Sequence, residues 1–183
     1  LSIQKARALL QAVQGDRLQA LYEVALMLGL RQSEVPGLQW RDIDFDAGTL
    51  RVARSLQRYG GEYHLDEPKT ARSRRTLGVP EPLLVSLRRH RANQLAERLS
   101  AGPLWNGDEW GDLVFATSTG SPLDGSSMVT KRFQVLVARA GLPHMTFHEL
   151  RHGAATLMLA LGTDPRTIME TLGHSQISTT MNV

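Results

Sequence analysis

The five residues 148–152, HELRH, combine side chains that can bind a metal, transfer a proton or hold an anion. Residues three and four positions apart lie close together on a helix, so His148, Arg151 and His152 are expected to share one face. The spacing H-E-x-x-H is that of helix-borne zinc sites. An arginine placed beside two histidines suits a phosphate that gains negative charge during a reaction. The motif therefore supports either a metal site or an anion site.

A zinc site would need a third protein ligand. In the longer motif of one class of zinc proteases, glycine and histidine would stand where this chain has Ala155 and Met158. Glu170 or His174 lies far enough along the chain to serve instead, so a zinc hydrolase stays open as an alternative. It is disfavoured because Arg151 would place a permanent cation beside a dication. We therefore expect no metal ligands and no cofactor.

The composition is that of a folded globular protein. The chain has 183 residues, of which 42% are hydrophobic and 21% charged, enough for one well-cored domain. It has no cysteine, which excludes disulfides and thiolate metal sites and fits a cytoplasmic protein. No apolar run reaches the roughly 20 residues that span a bilayer. The chain begins without methionine, so we expect a fragment of a longer protein.

The basic residues point to nucleic acid. The net charge is only +3, but 18 of the 21 basic residues are arginine and three are lysine. Codon usage in a GC-rich genome would explain the arginine excess equally well. Their distribution is more informative, because many lie in the central segment 51–75. Such clustering predicts an electrostatic contact with phosphates. The candidate DNA contacts are Arg72, Arg74 and Arg75.

The hydrophobic period changes twice along the chain, from helical to alternating and back. Helices are predicted over residues 2–14, 17–30, 80–100, 126–142, 146–162 and 163–173, with a short one within 31–44 and a further one beginning at 174. Strands are predicted over 49–57, 62–70 and 74–80, with a short extended piece over 113–117. We expect a mixed α/β fold, mainly α-helical, with a small three-stranded antiparallel sheet.

Four motifs occur in a fixed order: GLRQSE (29–34), PKTARSRRTLGVP (68–80), HELRHGAAT (148–156) and LGHSQISTTMNV (172–183). With these motifs the sequence resembles the catalytic domain of tyrosine recombinases, the phage-integrase family, over nearly its whole length. The resemblance implies that family's fold and a site-specific DNA recombinase. Such an enzyme cuts and rejoins double-stranded DNA through a covalent 3′-phosphotyrosyl link, without metal or cofactor. A homotetramer of the full-length protein on DNA is expected, in a bacterial or phage-encoded setting at the nucleoid.

The resemblance also implies a role for each site residue. Arg31 and Arg151 would grip the scissile phosphate. His148 would accept a proton or a hydrogen bond, and His174 would donate to a phosphate oxygen. Lys69, on the basic hairpin, would protonate the departing 5′ oxygen.

Two further residues would support this site. Glu34 matches an acidic position that supports the first arginine, and His152 matches a common supporting position beside the second.

The nucleophile is absent from the matching position. The family's tyrosine follows directly after the residue that corresponds to Val183, and Tyr22, Tyr59 and Tyr63 do not match its motif. We therefore interpret residues 1–183 as a single catalytic domain without its nucleophile segment and without the amino-terminal DNA-clamping domain, and we expect no DNA cleavage by the chain as given. Two other interpretations stay open. One is a non-catalytic DNA-binding relative of the same fold. The other is a type IB topoisomerase, which the short spacing between HELRH and LGHS disfavours.

Overall fold

The computed structural model describes residues 2–67, 74–124, 128–160 and 162–173. The chain divides into two compact units, one formed by Leu1–Gln32 with Ser126–Val183 and the other by Ser33–Gly125. The first unit is helical, and the second carries the strands and one long helix. The prediction of a single domain over 1–183 stays a prediction.

The described residues form six α-helices and five short strands. The helices are α1 (Ile3–Ala12), α2 (Gln19–Leu28), α3 (Glu81–Ala101), α4 (Met128–Arg139), α5 (Phe147–Ala160) and α6 (Pro165–Leu172). The strands are β1 (Ile43–Asp44), β2 (Thr49–Val52), β3 (Ser55–Tyr59), β4 (Glu62–Asp66) and β5 (Arg75–Gly78). The prediction of a mainly helical fold with a small antiparallel sheet is confirmed. Within the described ranges, no helix is long and apolar enough to cross a membrane.

Capping residues fix the ends of α6, which lies within the predicted helix 163–173. Asp164 is the N-cap, and its carboxylate accepts the backbone N–H groups of Arg166 and Thr167, each at 3.0 Å. Pro165 follows at the first helical position, where no intrahelical donor is needed. Gly173 ends the helix in the left-handed conformation. The helix predicted from residue 174 onward lies outside the described residues.

An aromatic cluster forms the centre of the helical unit. Tyr22 of α2 stacks on Phe133 of α4 with ring centroids 5.7 Å apart, and Phe147 of α5 packs edge-on against Phe133 at 5.8 Å. All three rings are buried. The cluster therefore ties together three helices that are far apart in sequence, and large buried aromatic groups contribute strongly to such a core.

The predicted short helix within 31–44 is wrong. The structure has two 3₁₀ turns there, Val35–Gly37 and Trp40–Asp42, separated by extended residues. Pro36 has no N–H to continue an α-helix. A Cβ built on Gly37 would lie 3.0 Å from the backbone nitrogen of Leu56, so the turn packs directly on β3. Tertiary packing and proline chemistry together replace the helix.

The predicted strand 49–57 is in fact two strands in two different sheets. β2 pairs with β1 and β5 in a three-stranded antiparallel sheet, whereas β3 pairs only with β4. The strand is interrupted at Arg54. In a continuous strand, alternation would place Arg54 on the same side as the buried Val52 and Leu56. Its guanidinium forms a 2.9 Å ion pair with Asp42. This polar contact therefore lies at the boundary between the two sheets.

Helix α3 anchors the segment predicted as extended over 113–117. Gln94 accepts the indole N–H of Trp40 at 2.6 Å and donates to the carbonyl of Leu113 at 3.0 Å. His90 lies 2.7 Å from the carbonyl of Val114. These buried polar side chains satisfy the backbone of a segment that pairs with its neighbours only at isolated bridges.

Gly29 marks the point where α2, α5 and α6 meet. It closes α2 in the left-handed conformation with φ +61°. A Cβ at this position would lie 3.1 Å from the Cβ of Ala154 and would overlap the side chain of Leu172. Glycine is required here both for its φ angle and for the lack of space.

We predict that Gly29→Ala destabilises the chain more than Gly141→Ala. Gly141 also follows a helix and has φ +65°, but no atom lies within 4 Å of its Cβ position. Both variants carry the cost of a positive φ. The difference between their free energies of unfolding therefore measures the steric overlap at position 29, which should cost about 1–3 kcal/mol. Urea denaturation measures both free energies of unfolding, and equal losses would contradict close packing at Gly29.

Candidate active site

One arginine lies among the buried side chains of α5. Phe147, Leu150, Ala154 and Ala155 form a stripe at helical spacing, and all are buried. Arg151 belongs to the same stripe and is only 6% exposed. A charged residue is rarely buried unless it is paired or hydrogen-bonded, so this position demands specific partners.

Backbone carbonyls at two helix ends supply those partners. Nη1 of Arg151 donates to the carbonyl oxygen of Gly29 at 2.6 Å, and Nη2 donates to that of Leu172. These carbonyls lie at the C-terminal ends of α2 and α6, where no intrahelical N–H is available to them. The C-terminal end of a helix carries partial negative charge, which stabilises a cation. Arg151 therefore holds two helix ends against α5.

Arg31 reaches the same place from a different element. Its Nη2 donates to the carbonyl oxygen of Gly173 at 2.8 Å, and the side chain is half-buried. Leu172 and Gly173 are consecutive, so the two arginines contact neighbouring carbonyls at the end of α6. The structure thus brings together Arg31 and Arg151, which are 120 positions apart in the sequence.

The two histidines of HELRH lie on the exposed side of α5. The Nε2 atoms of His148 and His152 are 3.1 Å apart, and the rings are nearly perpendicular. The pKa of His148 is lowered by partial desolvation of the ring, then by the nearby charges of His152 and Arg151, against a smaller opposite effect of Glu149. His148 is therefore the neutral imidazole at neutral pH, which can accept a proton.

The expected common face of HELRH is only partly correct. His148 and His152 are exposed, whereas Arg151 points into the buried stripe. An α-helix has 3.6 residues per turn, so position 151 is a neighbour of both histidines but is rotated around the helix axis toward the core.

In the other unit, Glu34 and Arg75 form a buried ion pair. Two parallel hydrogen bonds of 3.0 and 2.9 Å join the guanidinium to the carboxylate, and the side chains are 7% and 5% exposed. Such bidentate pairs are among the strongest charge-assisted contacts. The charge of Arg75 is therefore already matched by Glu34, and the predicted contact of Arg75 with DNA stays a prediction. The support of Arg31 by Glu34 stays a prediction.

Arg74 differs from its neighbour. Its side chain is 46% exposed and lies 3.6 Å from the exposed carboxylate of Glu67. An exposed pair of this kind contributes little to stability, so Arg74 is available to an incoming anion. Lys69, Arg72 and His174 lie outside the described residues, and their predicted roles stay predictions.

Tyr22, the tyrosine in the helical unit, does not suit nucleophilic attack. It is buried in the aromatic cluster, and burial together with the charge of Asp16 raises the pKa of its phenol. A phenol that resists ionisation away from solvent is a poor nucleophile.

In the described part of the chain, no group of three or more histidine, aspartate or glutamate side chains could hold a metal ion. His148 and His152 thus have no third ligand among these residues, which a zinc hydrolase would need.

The sequence alone did not identify the backbone part of the site. The carbonyls of Gly29, Leu172 and Gly173 carry no side-chain signature. The available signal was an arginine at an apolar position of α5, together with glycines that end α2 and α6.

We predict that His152→Gln raises the pKa of His148 toward the ordinary value of about 6.5, because it removes a neighbouring positive charge. Glu149→Gln should lower the pKa further, because it removes a favourable negative charge. An NMR titration of the His148 ring measures both shifts. If the two variants shifted the pKa of His148 in the same direction, neighbouring charges would not be what controls it.

Comparison with known proteins is consistent across sequence and structure. The chain matches the profile of the phage integrase family over residues 1–183. It is 37% identical over 191 residues to a protein named tyrosine recombinase XerC-like from Caldanaerobacter subterraneus subsp. tengcongensis, covering all of this chain and 49% of that protein. It is 32% identical over 194 residues to an integrase from Streptomyces ambofaciens, covering 100% and 48% of the two chains. The chain thus spans about half the length of these relatives.

Solved structures show the same fold. The integrase of the Tn1549 transposon, in complex with transposon right end DNA, superposes with a TM-score of 0.83 at 26% identity, covering all of this chain and 60% of that one. The crystal structure of XerA recombinase gives a TM-score of 0.75 at 28% identity, covering 99% and 58%. The match of the profile to the whole chain, the relatives and the fold establish that this chain belongs to the phage integrase family.

Proposed function

We propose that this chain is the catalytic domain of a site-specific DNA recombinase that cleaves and rejoins DNA through a tyrosine. One observation carries the proposal: Arg31 and Arg151 converge on the last carbonyls of α6, with the imidazole of His148 one turn away from Arg151 on α5. This arrangement offers two fixed cations at one helix end and a proton acceptor on the adjacent turn of α5.

The chemistry of phosphodiester cleavage suits these groups. As a hydroxyl attacks, negative charge grows on the non-bridging phosphate oxygens, and fixed guanidinium groups stabilise that charge without reorganising. Each guanidinium has five N–H donors, so one arginine can hold a backbone carbonyl and a phosphate oxygen together. Burial of Arg151 among helix ends keeps its donors in one orientation.

Proton transfer completes the proposed reaction. A tyrosine hydroxyl, with an ordinary pKa of about 10, must lose its proton during attack, and the neutral ring of His148 can accept it. The tyrosine is expected directly after Val183, and its phosphorus–oxygen bond forms as the 5′ oxygen departs. Lys69 would give that oxygen a proton, and His174 would donate to a non-bridging oxygen. Reversal of the same steps rejoins the strand, because the phosphotyrosyl link retains the bond energy.

The substrate in this proposal is double-stranded DNA. Arg74 immediately precedes β5 in the sequence, and its guanidinium is exposed. Arg72 and Lys69 belong to the same basic stretch of sequence. For Arg75 we propose a structural role in place of a DNA contact, because its ion pair with Glu34 holds the start of β5. We further propose that the complete protein assembles as a tetramer on its DNA and acts at the nucleoid in the cytoplasm.

The second candidate function is DNA binding without catalysis on the same fold. It would need no neutral histidine beside the arginines. The enzyme is favoured because Arg31 and Arg151 converge on neighbouring carbonyls with an imidazole one turn away on α5, an arrangement that DNA binding alone does not require.

The direct test is formation of a covalent adduct by the full-length protein on a nicked suicide DNA substrate, in chelator and without ATP. Wild type should leave protein joined to a 3′ phosphate. Arg31→Lys keeps the charge but loses the planar fork, so the rate of adduct formation should fall roughly 100-fold or more. Arg139→Lys, an exposed arginine at the end of α4, is the matched control and should react as wild type does.

Circular dichroism shows whether each variant is folded. A folded wild type that binds DNA but never forms the adduct would support the non-catalytic alternative. If Arg31→Lys formed the adduct as fast as wild type, Arg31 would not take part in the reaction.

Arg74 and Arg75 should respond differently to substitution. Arg74→Ala should reduce DNA affinity and lower the slope of log affinity against log salt by about one unit, as loss of one phosphate contact does. Arg75→Ala removes two charge-assisted hydrogen bonds to the buried carboxylate of Glu34 and should lower the free energy of unfolding by about 1–3 kcal/mol. Salt-dependent fluorescence anisotropy and urea denaturation measure the two effects. A reversed pattern would mean that Arg75, and not Arg74, faces DNA.

A further inference from the structure

The histidine pair of α5 has a geometry that the proposed recombination chemistry does not require. The Nε2 atoms of His148 and His152 approach to 3.1 Å, the ring centroids are 4.8 Å apart, and the planes cross at 82°. Both side chains are exposed. Two imidazole nitrogens therefore converge on one point at the protein surface.

That separation fits two ligands of one metal ion. When two nitrogens each lie about 2.0–2.1 Å from a metal, at an angle of about 90–110°, they are about 2.9–3.4 Å apart. The observed 3.1 Å falls within this interval. The helix fixes the spacing of the pair through its backbone, so binding would cost little rearrangement.

The same distance also allows a hydrogen bond in which one ring donates to the other. A neutral imidazole carries one N–H, and the donor ring can move that proton from Nε2 to Nδ1. Both Nε2 lone pairs then face the metal. The change requires no net loss of protons, so the hydrogen-bonded pair can convert directly into a chelating pair.

We propose that His148 and His152 form a two-histidine site for a transition-metal dication of the class Cu²⁺, Ni²⁺ or Zn²⁺, and that the bound ion inhibits the enzyme. Imidazole nitrogens suit these ions, whereas Mg²⁺ prefers oxygen ligands. Inhibition follows because the metal occupies the Nε2 atom of His148; this half of the proposal rests on the proposed function.

The neighbouring charges set the strength of the site. The guanidinium of Arg151 lies on the adjacent turn and opposes a dication, whereas the carboxylate of Glu149 attracts it. With two protein ligands and water completing the coordination, the ion is exchangeable. This differs from the closed or three-ligand zinc sites that structural and hydrolytic centres need.

The site is tested by titrating the metal-free, DNA-free chain with copper(II) chloride, followed by calorimetry and by electron paramagnetic resonance. Wild type should bind one ion with nitrogen hyperfine structure from two imidazoles. His148→Gln and His152→Gln should each weaken binding at least tenfold, since disturbing even the partners of metal ligands costs about 10–100-fold. His144→Gln, another exposed histidine, is the control and should bind as wild type does.

Equal affinity for copper in wild type, His148→Gln and His152→Gln would overturn the site. So would a spectrum with a single coordinated nitrogen in wild type.

The inhibitory half is tested on full-length protein with the suicide substrate. Zinc chloride should suppress adduct formation, excess chelator should restore it, and magnesium chloride should have no such effect. Wild type that binds copper at the pair but reacts at the same rate in zinc would overturn inhibition. If the protein forms no adduct even in chelator, the proposed function fails, while the copper titration still decides whether the site exists.

Discussion

The buried cation of Arg151 is the constraint on which the helical unit depends. Removing a guanidinium from water is costly, and the cost is offset here by carbonyls at the C-terminal ends of α2 and α6. The same contacts satisfy oxygens that the helices leave without partners. One side chain thereby joins three helices and fixes its own orientation, so structural and chemical requirements are met by the same contacts.

Two helix-ending glycines make that arrangement possible. Gly29 and Gly173 both adopt the left-handed conformation, which turns the chain sharply and presents the helix-end carbonyls. Gly29 also leaves no room for a side chain against Ala154 and Leu172. Packing and backbone conformation thus determine where the carbonyls lie, and the carbonyls determine where the arginines lie.

In the strand-bearing unit, largely buried arginines pair with carboxylates. The pairs Glu34–Arg75 and Asp42–Arg54 join turns to strands inside the unit. Buried pairs of this kind are only modest sources of stability, but losing one partner is costly. They hold the start of β5 and the break after β2 in place. The basic segment therefore contains arginines with two roles, and exposure separates Arg74 from Arg75.

Hydrophobic periodicity and side-chain chemistry were enough to predict the six helices, the mainly helical class and the side chains that could act on a phosphate. Helical periodicity and capping residues are local, so they can be read from the chain; the ends of α6 at Asp164 and Gly173 illustrate this. The sequence could not predict the split of 49–57 or the 3₁₀ turns, because both follow from contacts with distant residues. Nor could it separate Arg75 from Arg74, or find the carbonyls that hold Arg151. Burial and backbone partners arise only when distant segments pack, so it is the folded arrangement that separates buried charged groups from those that meet solvent.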